Sequence, residues 1–162
     1  MQAALEYYSQ ALPFFQVVND KINEAITLNS IGGVYSKLSE NEKALKYYNQ
    51  ALPVYRAISD KHGEANVLNN IGYIHFTQKN IKEASASYYT AVFLFRSIAH
   101  KVGEATALHN LGKMYSQIGD KSKALEFFNQ ALTLQKVLGN KQGEAVTLLN
   151  IGIGYSELNE KQ

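Results

Sequence analysis

One phrase of the chain returns at a single interval. Glu24-Ala25-Ile26-Thr27-Leu28-Asn29-Ser30-Ile31-Gly32 is followed 40 residues later by Glu64-Ala65-Asn66-Val67-Leu68-Asn69-Asn70-Ile71-Gly72. Glu104-Ala105-Thr106-Ala107-Leu108-His109-Asn110-Leu111-Gly112 and Glu144-Ala145-Val146-Thr147-Leu148-Leu149-Asn150-Ile151-Gly152 follow at the same interval. A fixed period of this length implies a stacked array, because one unit cannot bury its apolar face alone. The hydrophobic fraction of 46% permits such burial.

The apolar spacing within each period is helical, and no strand-like alternation persists. Each repeat therefore reads as two helices, A and B. Residues 1–17 read as a B helix, because Ala4, Tyr8 and Ala11 match Ala44, Tyr48 and Ala51 one period later. The following A and B helices are expected at about Asn23–Leu38 and Asn41–Ile58, His62–Gln78 and Ile81–Ile98, and Val102–Ile118 and Lys121–Val137. A last A helix is expected at about Gln142–Leu158. The organisation is one array: a half repeat at 1–19, repeats at 20–59, 60–99 and 100–139, and a half repeat at 140–162.

The junctions carry turn chemistry. Gly119 suits the left-handed residue after a helix, and Asp120 suits the cap of the next. Asn80 with Glu83 resembles a capping box. Gly139 and Asn140 punctuate the last junction. Glu24, Glu64, Glu104 and Glu144 each open an A helix, where the helix dipole favours a carboxylate. Pro13 and Pro53 fall inside B helices and predict a bend there, with none near Phe93 or Thr133 at the same register. Leu68, Ile71, Gly72 and His75 share one side of an A helix, as do Leu108, Leu111, Gly112 and Tyr115. Glycine within a helix is unfavourable, so Gly32, Gly72, Gly112 and Gly152 predict close approach of helix B. Ala44, Ala84 and Ala124 are expected against those glycines, with Tyr48, Tyr88 and Phe128 filling the gap to the next repeat.

Several function classes drop out. The formal net charge is +2 with no basic run, which argues against a nucleic-acid partner or an anionic membrane surface. The chain has 0 Cys, so it has no disulfide or thiolate metal site. His62, His75, His100 and His109 offer no i,i+4 metal pair, and no P-loop, nucleophile elbow or dinucleotide fingerprint occurs. No cofactor or catalytic residue is expected. With no apolar run of membrane-spanning length and no basic-then-apolar start, no membrane partner is expected and the cytoplasm is the expected location.

The pattern resembles the tetratricopeptide repeat. Leu28, Ile31-Gly32, Tyr35, Ala44, Tyr48 and Ala51 carry it in repeat one; Leu108, Leu111-Gly112, Tyr115, Ala124, Phe128 and Ala131 carry it in repeat three. Repeat two departs with His75 in place of the tyrosine. The resemblance implies an all-α fold, a right-handed α-solenoid of antiparallel helix pairs. The 40-residue form, with Asp60-Lys61-His62-Gly63-Glu64-Ala65 in the turn, is similar to Pins/LGN-type spindle-orientation scaffolds. It is also similar to long bacterial arrays, some joined to caspase-like CHAT domains. In such families the A helices line a concave groove that holds a peptide.

The helix A face opposite the core is readable from geometry alone. It presents Asn69, Asn70, Tyr73 and Thr77, with Phe76 at its edge. Repeat three presents His109, Asn110, Lys113 and Gln117, with Ser116 at the edge; Asn29, Ser30 and Lys37 come from repeat one and Asn150 from the last helix. Amide side chains can pair with a peptide backbone without demanding charge, and Tyr73 and Phe76 have the character of binding anchors. The family's second Asn, just after the Gly, is replaced by Gly33, Tyr73, Lys113 and Ile153, and a lysine/asparagine/arginine carboxylate clamp is not assembled.

The expected function is a scaffold that binds a peptide or protein partner along this face. Two others stay open: a regulatory segment of a larger enzyme, and a structural element that stacks head to tail through uncapped ends. Residue 161 has the register of residue 1, so the last A helix of one copy would meet the first B helix of another. A longer parent array accounts for the open ends equally well.

Overall fold

The computed structural model describes residues 1–159, so residues 160–162 of the last half repeat, including the register position 161, lie outside the described residues. The described residues form eight α-helices: α1 (Gln2–Val17), α2 (Lys21–Lys37), α3 (Asn41–Ala57), α4 (Lys61–Thr77), α5 (Ile81–Ser97), α6 (Lys101–Gln117), α7 (Lys121–Val137) and α8 (Lys141–Asn159). The even-numbered helices are the A helices and the odd-numbered ones the B helices. Each A helix starts one or two residues earlier than the periodicity suggests, because the cap lies earlier. Asp20, Asp60, His100 and Asn140 accept from the backbone N–H of Asn23, Gly63, Gly103 and Gly143 at 2.9–3.1 Å. Asp120 caps α7 in the same way, through Lys123 N–H at 3.1 Å. Asn80 makes no side-chain cap bond, so the expected capping box with Glu83 is not formed.

Every helix–helix turn uses one device. A residue with positive φ stands at 19, 39, 59, 79, 99, 119 and 139, and only Gly119 and Gly139 are glycines. The next residue returns its N–H to a carbonyl five residues earlier: Asp20 to Phe15, Asp60 to Tyr55, His100 to Phe95. This is a Schellman closure whose final residue is also the N-cap of the following helix. The turn that ends one helix therefore sets the direction of the next. Helices α1 and α3 run through Pro13 and Pro53 without interruption.

Two apolar clusters hold the array together. One gathers Leu28, Ala44, Tyr48, Tyr55, Val67 and Ile74; the other gathers Leu68, Tyr88, Phe95, Leu108, Met114 and Phe127. Both span repeat junctions, as a stacked architecture requires. The atoms nearest the A-helix glycines belong to the aromatic rings of helix B. A Cβ on Gly32 would lie 2.7 Å from the Tyr48 ring, on Gly72 2.8 Å from Tyr88, and on Gly112 2.5 Å from Phe128. Ala44, Ala84 and Ala124 are fully buried beside them, but a methyl does not reach as far as a ring. A second glycine, at Gly63 and Gly103, receives the ring of Tyr55 or Phe95 from the preceding B helix. Burial pushes the Tyr48 hydroxyl pKa up to about 12 and raises that of Tyr88 further.

The recurrent glutamates do more than complement the helix dipole. Glu64 pairs with Arg56 at 2.6 Å and Glu104 with Arg96 at 2.7 Å, each tying the end of a B helix to the start of the next A helix. Glu24 accepts instead from Gln16 and Lys21, and Glu144 pairs with Lys141 of its own helix. Tyr35 stacks on Tyr47 and Tyr115 on Phe127, with ring centroids 5.6 and 5.4 Å apart. At the same register the second repeat has His75, whose Nδ1 is buried without a hydrogen-bond partner, and Ser87 in place of the ring.

Successive A helices touch one another: α2 meets α4, α4 meets α6, and α6 meets α8. Successive B helices do not meet among the described residues. The array therefore curves with the A helices on its inner side. No helix among the described residues is long and apolar enough to cross a membrane.

Candidate peptide-binding face

Helix geometry puts residues three, four and seven apart on one face. On α4 that face carries Asn66, Asn69, Tyr73 and Phe76; on α6 it carries Thr106, His109, Lys113 and Ser116. Because the A helices are in contact, a side chain at the register of Asn69 meets the residue one step on in the next A helix. Asn70 donates its Nδ2 to Asn29 Oδ1 at 3.5 Å, and Asn110 donates to Asn69 Oδ1 at 3.0 Å. These are rungs of a ladder with a stride of 41 residues. Each uses one donor and one acceptor, so the other end of each amide is not consumed. The asparagines are half-buried and held in line.

The ladder changes at α8. His109 takes the register of Asn29 and Asn69, but its Nδ1 meets Thr147 Oγ1 at 2.9 Å, and Thr147 is completely buried. The His109 ring lies 5.3 Å from that of Phe128. Burial, then the nearby Lys113 charge, lowers the His109 pKa below its ordinary 6.5, so the ring is neutral at pH 7. Asn150 instead lines a cleft of about 370 Å³ with Lys113, Gln117, Lys121 and Glu157, where Lys121 and Glu157 form an ion pair.

The expected residues therefore sort into four groups. Asn29, Asn69, Asn70, Asn110 and His109 sit on the ladder. Lys113, Gln117 and Asn150 meet at the α6–α8 cleft, with Lys113 and Gln117 exposed. Tyr73 is 48% exposed, a large ring on a polar face beside the ladder. The last two residues fit the face less well. Phe76 is only partly exposed, because it packs on the apolar cluster between the second and third repeats and lines a cleft with Lys79, Ile81, Gln117 and Ile118. The Thr77 hydroxyl donates to Ile74 O at 2.7 Å and accepts from Asn41 Nδ2 at 3.4 Å, so it serves the junction with α3.

One group of inward-facing residues is not apparent from helix A alone. Thr106, His109 and Val146 border a second pocket with Gln135, Asn140 and Gln142. Its signal lies in helix B: the register that carries Phe15, Tyr55 and Phe95 carries Gln135 in the last copy.

Residues 1–57 and 63–136 match the family described as tetratricopeptide repeat. Among curated proteins, nothing matches the chain. Among solved structures, BtubC (BKLC) from P. vanneervenii is similar with a TM-score of 0.86 at 21% identity, over 94% of this chain and 64% of that one. The apo form of RapI is similar with a TM-score of 0.83 at 19% identity, over 97% of this chain and 62% of that one. The N-terminal domain of stress-induced protein-1 (STI-1) from C. elegans aligns with a TM-score of 0.63 at 20% identity, over 80% of this chain and 96% of that one. The chain spans less than two thirds of the length of the first two, and at these identities the likeness is one of fold. The phrase repeated every 40 residues, the paired helices and the matched residues together place the chain in the tetratricopeptide repeat family, whose arrays generally mediate protein–protein interaction.

Proposed function

We propose that this array binds an extended peptide segment of a partner along its inner face, with the asparagine ladder as the central element. The observation that carries this reading is the pair of rungs, Asn29 to Asn70 and Asn69 to Asn110. They fix amide groups in a row across three A helices before any ligand arrives. Preorganised polar groups bind with less ordering entropy lost on the scaffold's side. A peptide backbone presents alternating donors and acceptors, which the unused ends of Asn69 and Asn110 complement. Tyr73 supplies an exposed aromatic anchor beside them. The asparagines of the ladder are uncharged, with Lys37 and Lys113 as the cations read on the same face, so backbone shape and polarity dominate over charge along the ladder itself.

The test is a random peptide library screened against the native chain and against Tyr73→Ala and Asn69→Ala variants. Binding that falls at least tenfold in both variants, with helicity unchanged, supports the ladder as the site. Equal binding to all three proteins overturns it.

A second reading rests on Gly152. A Cβ there would meet nothing within 4 Å, whereas Gly32, Gly72 and Gly112 each receive a ring from their helix B. Tyr8 of α1 has the register of that ring and is only partly buried. Another copy's α1 laid on α8 would supply it, and such a contact repeats head to tail. Sedimentation that stays monomeric from micromolar to millimolar chain removes this reading; growth with concentration that Tyr8→Ala abolishes supports it.

A further inference from the structure

The joint between α7 and α8 is built differently from the α3–α4 and α5–α6 joints. At the two preceding joints, the last turn of the B helix lays an aromatic ring, Tyr55 or Phe95, against Gly63 or Gly103. At the third, Gln135 stands where the ring would be. A Cβ on Gly143 would meet Gln135 Cδ at 3.1 Å and Asn140 Nδ2 at 2.7 Å, so these two amides flank one point. Beside them lies a pocket of about 280 Å³, bordered by Thr106, His109, Gln135, Asn140, Gln142 and Val146.

The chemistry of that pocket is one-sided. Gln135 is 6% exposed, and its Oε1 is buried with no hydrogen-bond partner. An unpaired buried acceptor is unfavourable and invites a donor. Asn140 commits its Oδ1 to the Gly143 N–H at 3.0 Å, which leaves its Nδ2 as a donor. No acidic or basic side chain lines the pocket, and His109 is neutral. A charged guest would lose its water without gaining a counter-charge. A neutral guest that both donates and accepts matches Gln135 and Asn140 together. The pocket also opens beside Thr106 and His109, which share the inner face with Lys113.

We infer that this pocket is a subsite for a primary carboxamide, the side chain of a glutamine or asparagine in the bound peptide, with Gln135 accepting from its NH₂ and Asn140 donating to its oxygen. The inference rests on the groove reading above for the peptide as the source of that carboxamide.

The probe is N-acetyl-glutamine N-methylamide, whose side chain is its sole primary carboxamide, titrated into the ¹⁵N-labelled chain and followed through the side-chain amide signals of Gln135 and Asn140. N-acetyl-glutamate N-methylamide and free L-glutamine are run beside it. Gln135→Phe restores the ring found at the two earlier joints, and Asn140→Asp keeps the cap acceptor while removing the donor. The expected result is a saturable shift with the glutamine probe, at least tenfold weaker with the glutamate probe and in both variants. Equal response to the two probes, no response, or full response in both variants overturns the carboxamide site. Tighter binding of free L-glutamine than of the capped probe overturns the peptide as its source. The library screen separates the two readings. Library peptides that bind Gln135→Phe as well as the native chain, with no enrichment of Gln or Asn, overturn the subsite and leave the groove. A library that fails while the capped probe still shifts Gln135 overturns the groove and leaves the pocket.

Discussion

At Gly72 the absence of a side chain is a packing requirement, whereas a Cβ on Gly152 would meet nothing among the described residues. A Cβ on Gly72 would sit 2.8 Å from the Tyr88 ring, while the same atom on Gly152 meets open space. Overpacking a tight site costs about 1–3 kcal/mol, and alanine in a helix regains up to about 1 kcal/mol. Gly72→Ala should therefore destabilise the chain by about 1–2 kcal/mol, and Gly152→Ala should stabilise it by about 0.5–1 kcal/mol, both read from urea midpoints. The glycines were predictable from sequence because they break helix propensity at a fixed interval. Their partner was not, because Ala44 and Tyr48 lie one turn apart on the same face of α3 and only side-chain reach decides between them. His109 gives a pH dependence of definite sign. Its folded-state pKa lies below 6.5, so the unfolded chain takes up the proton first. Stability from this group is complete above pH 6.5 and is lost as the pH falls below it toward the folded-state value. Urea midpoints between pH 7.5 and 5 should drop for the native chain, with a shallower slope for His109→Asn.

The unit of construction at the level of elements is the turn. Seven junctions share one closure, yet five place a non-glycine residue at positive φ, among them Lys79 at 63° and Ala99 at 54°. Alanine in that region carries a strain of about 1–2 kcal/mol, offset partly by its lower entropy in the unfolded chain. Ala99→Gly should therefore stabilise by about 1 kcal/mol in the same assay. This half-period was hidden in the sequence because Asn19, Ser39, Ser59, Lys79 and Ala99 share no chemistry. Helix spans were readable nonetheless, since the apolar period continues to the last turn of each. The A-helix starts shifted by a residue or two, because the residue that closes the preceding turn also caps the next helix, whether it is Asp20, Asp60, His100 or Asn140.

For the whole molecule, which face turns inward follows from which helices touch. Contact between successive A helices brings Asn69 of one against Asn110 of the next. The face itself was readable from helical spacing, so Asn29, Tyr73, Lys113 and Gln117 emerge from sequence alone. The rungs were not, since a partner 41 residues away is chosen by how repeats nest. The same limit applies to Phe76, whose ring turns toward the neighbouring repeat, and to Gln135, which matters only because three earlier copies of that position are aromatic.

That joint also gives the array an order in time. At the start of α8 no ring lies against Gly143 and Glu144 pairs within its own helix, which leaves Lys121–Glu157 as the ion pair to α7, whereas the start of α6 is fastened by both Phe95 and Arg96. In a nearest-neighbour array, opening begins where the fastening is weakest and passes along the stack. Amide protons of α8 should exchange with solvent first, those of α6 later, and those of α4 last. Gln135→Phe should lengthen the lifetime of α8 protons several-fold and leave those of α4 unchanged. The last joint would then sample open forms while α4 and α6, each fastened by a ring and an ion pair, stay folded, a graded loosening rather than a single melting event.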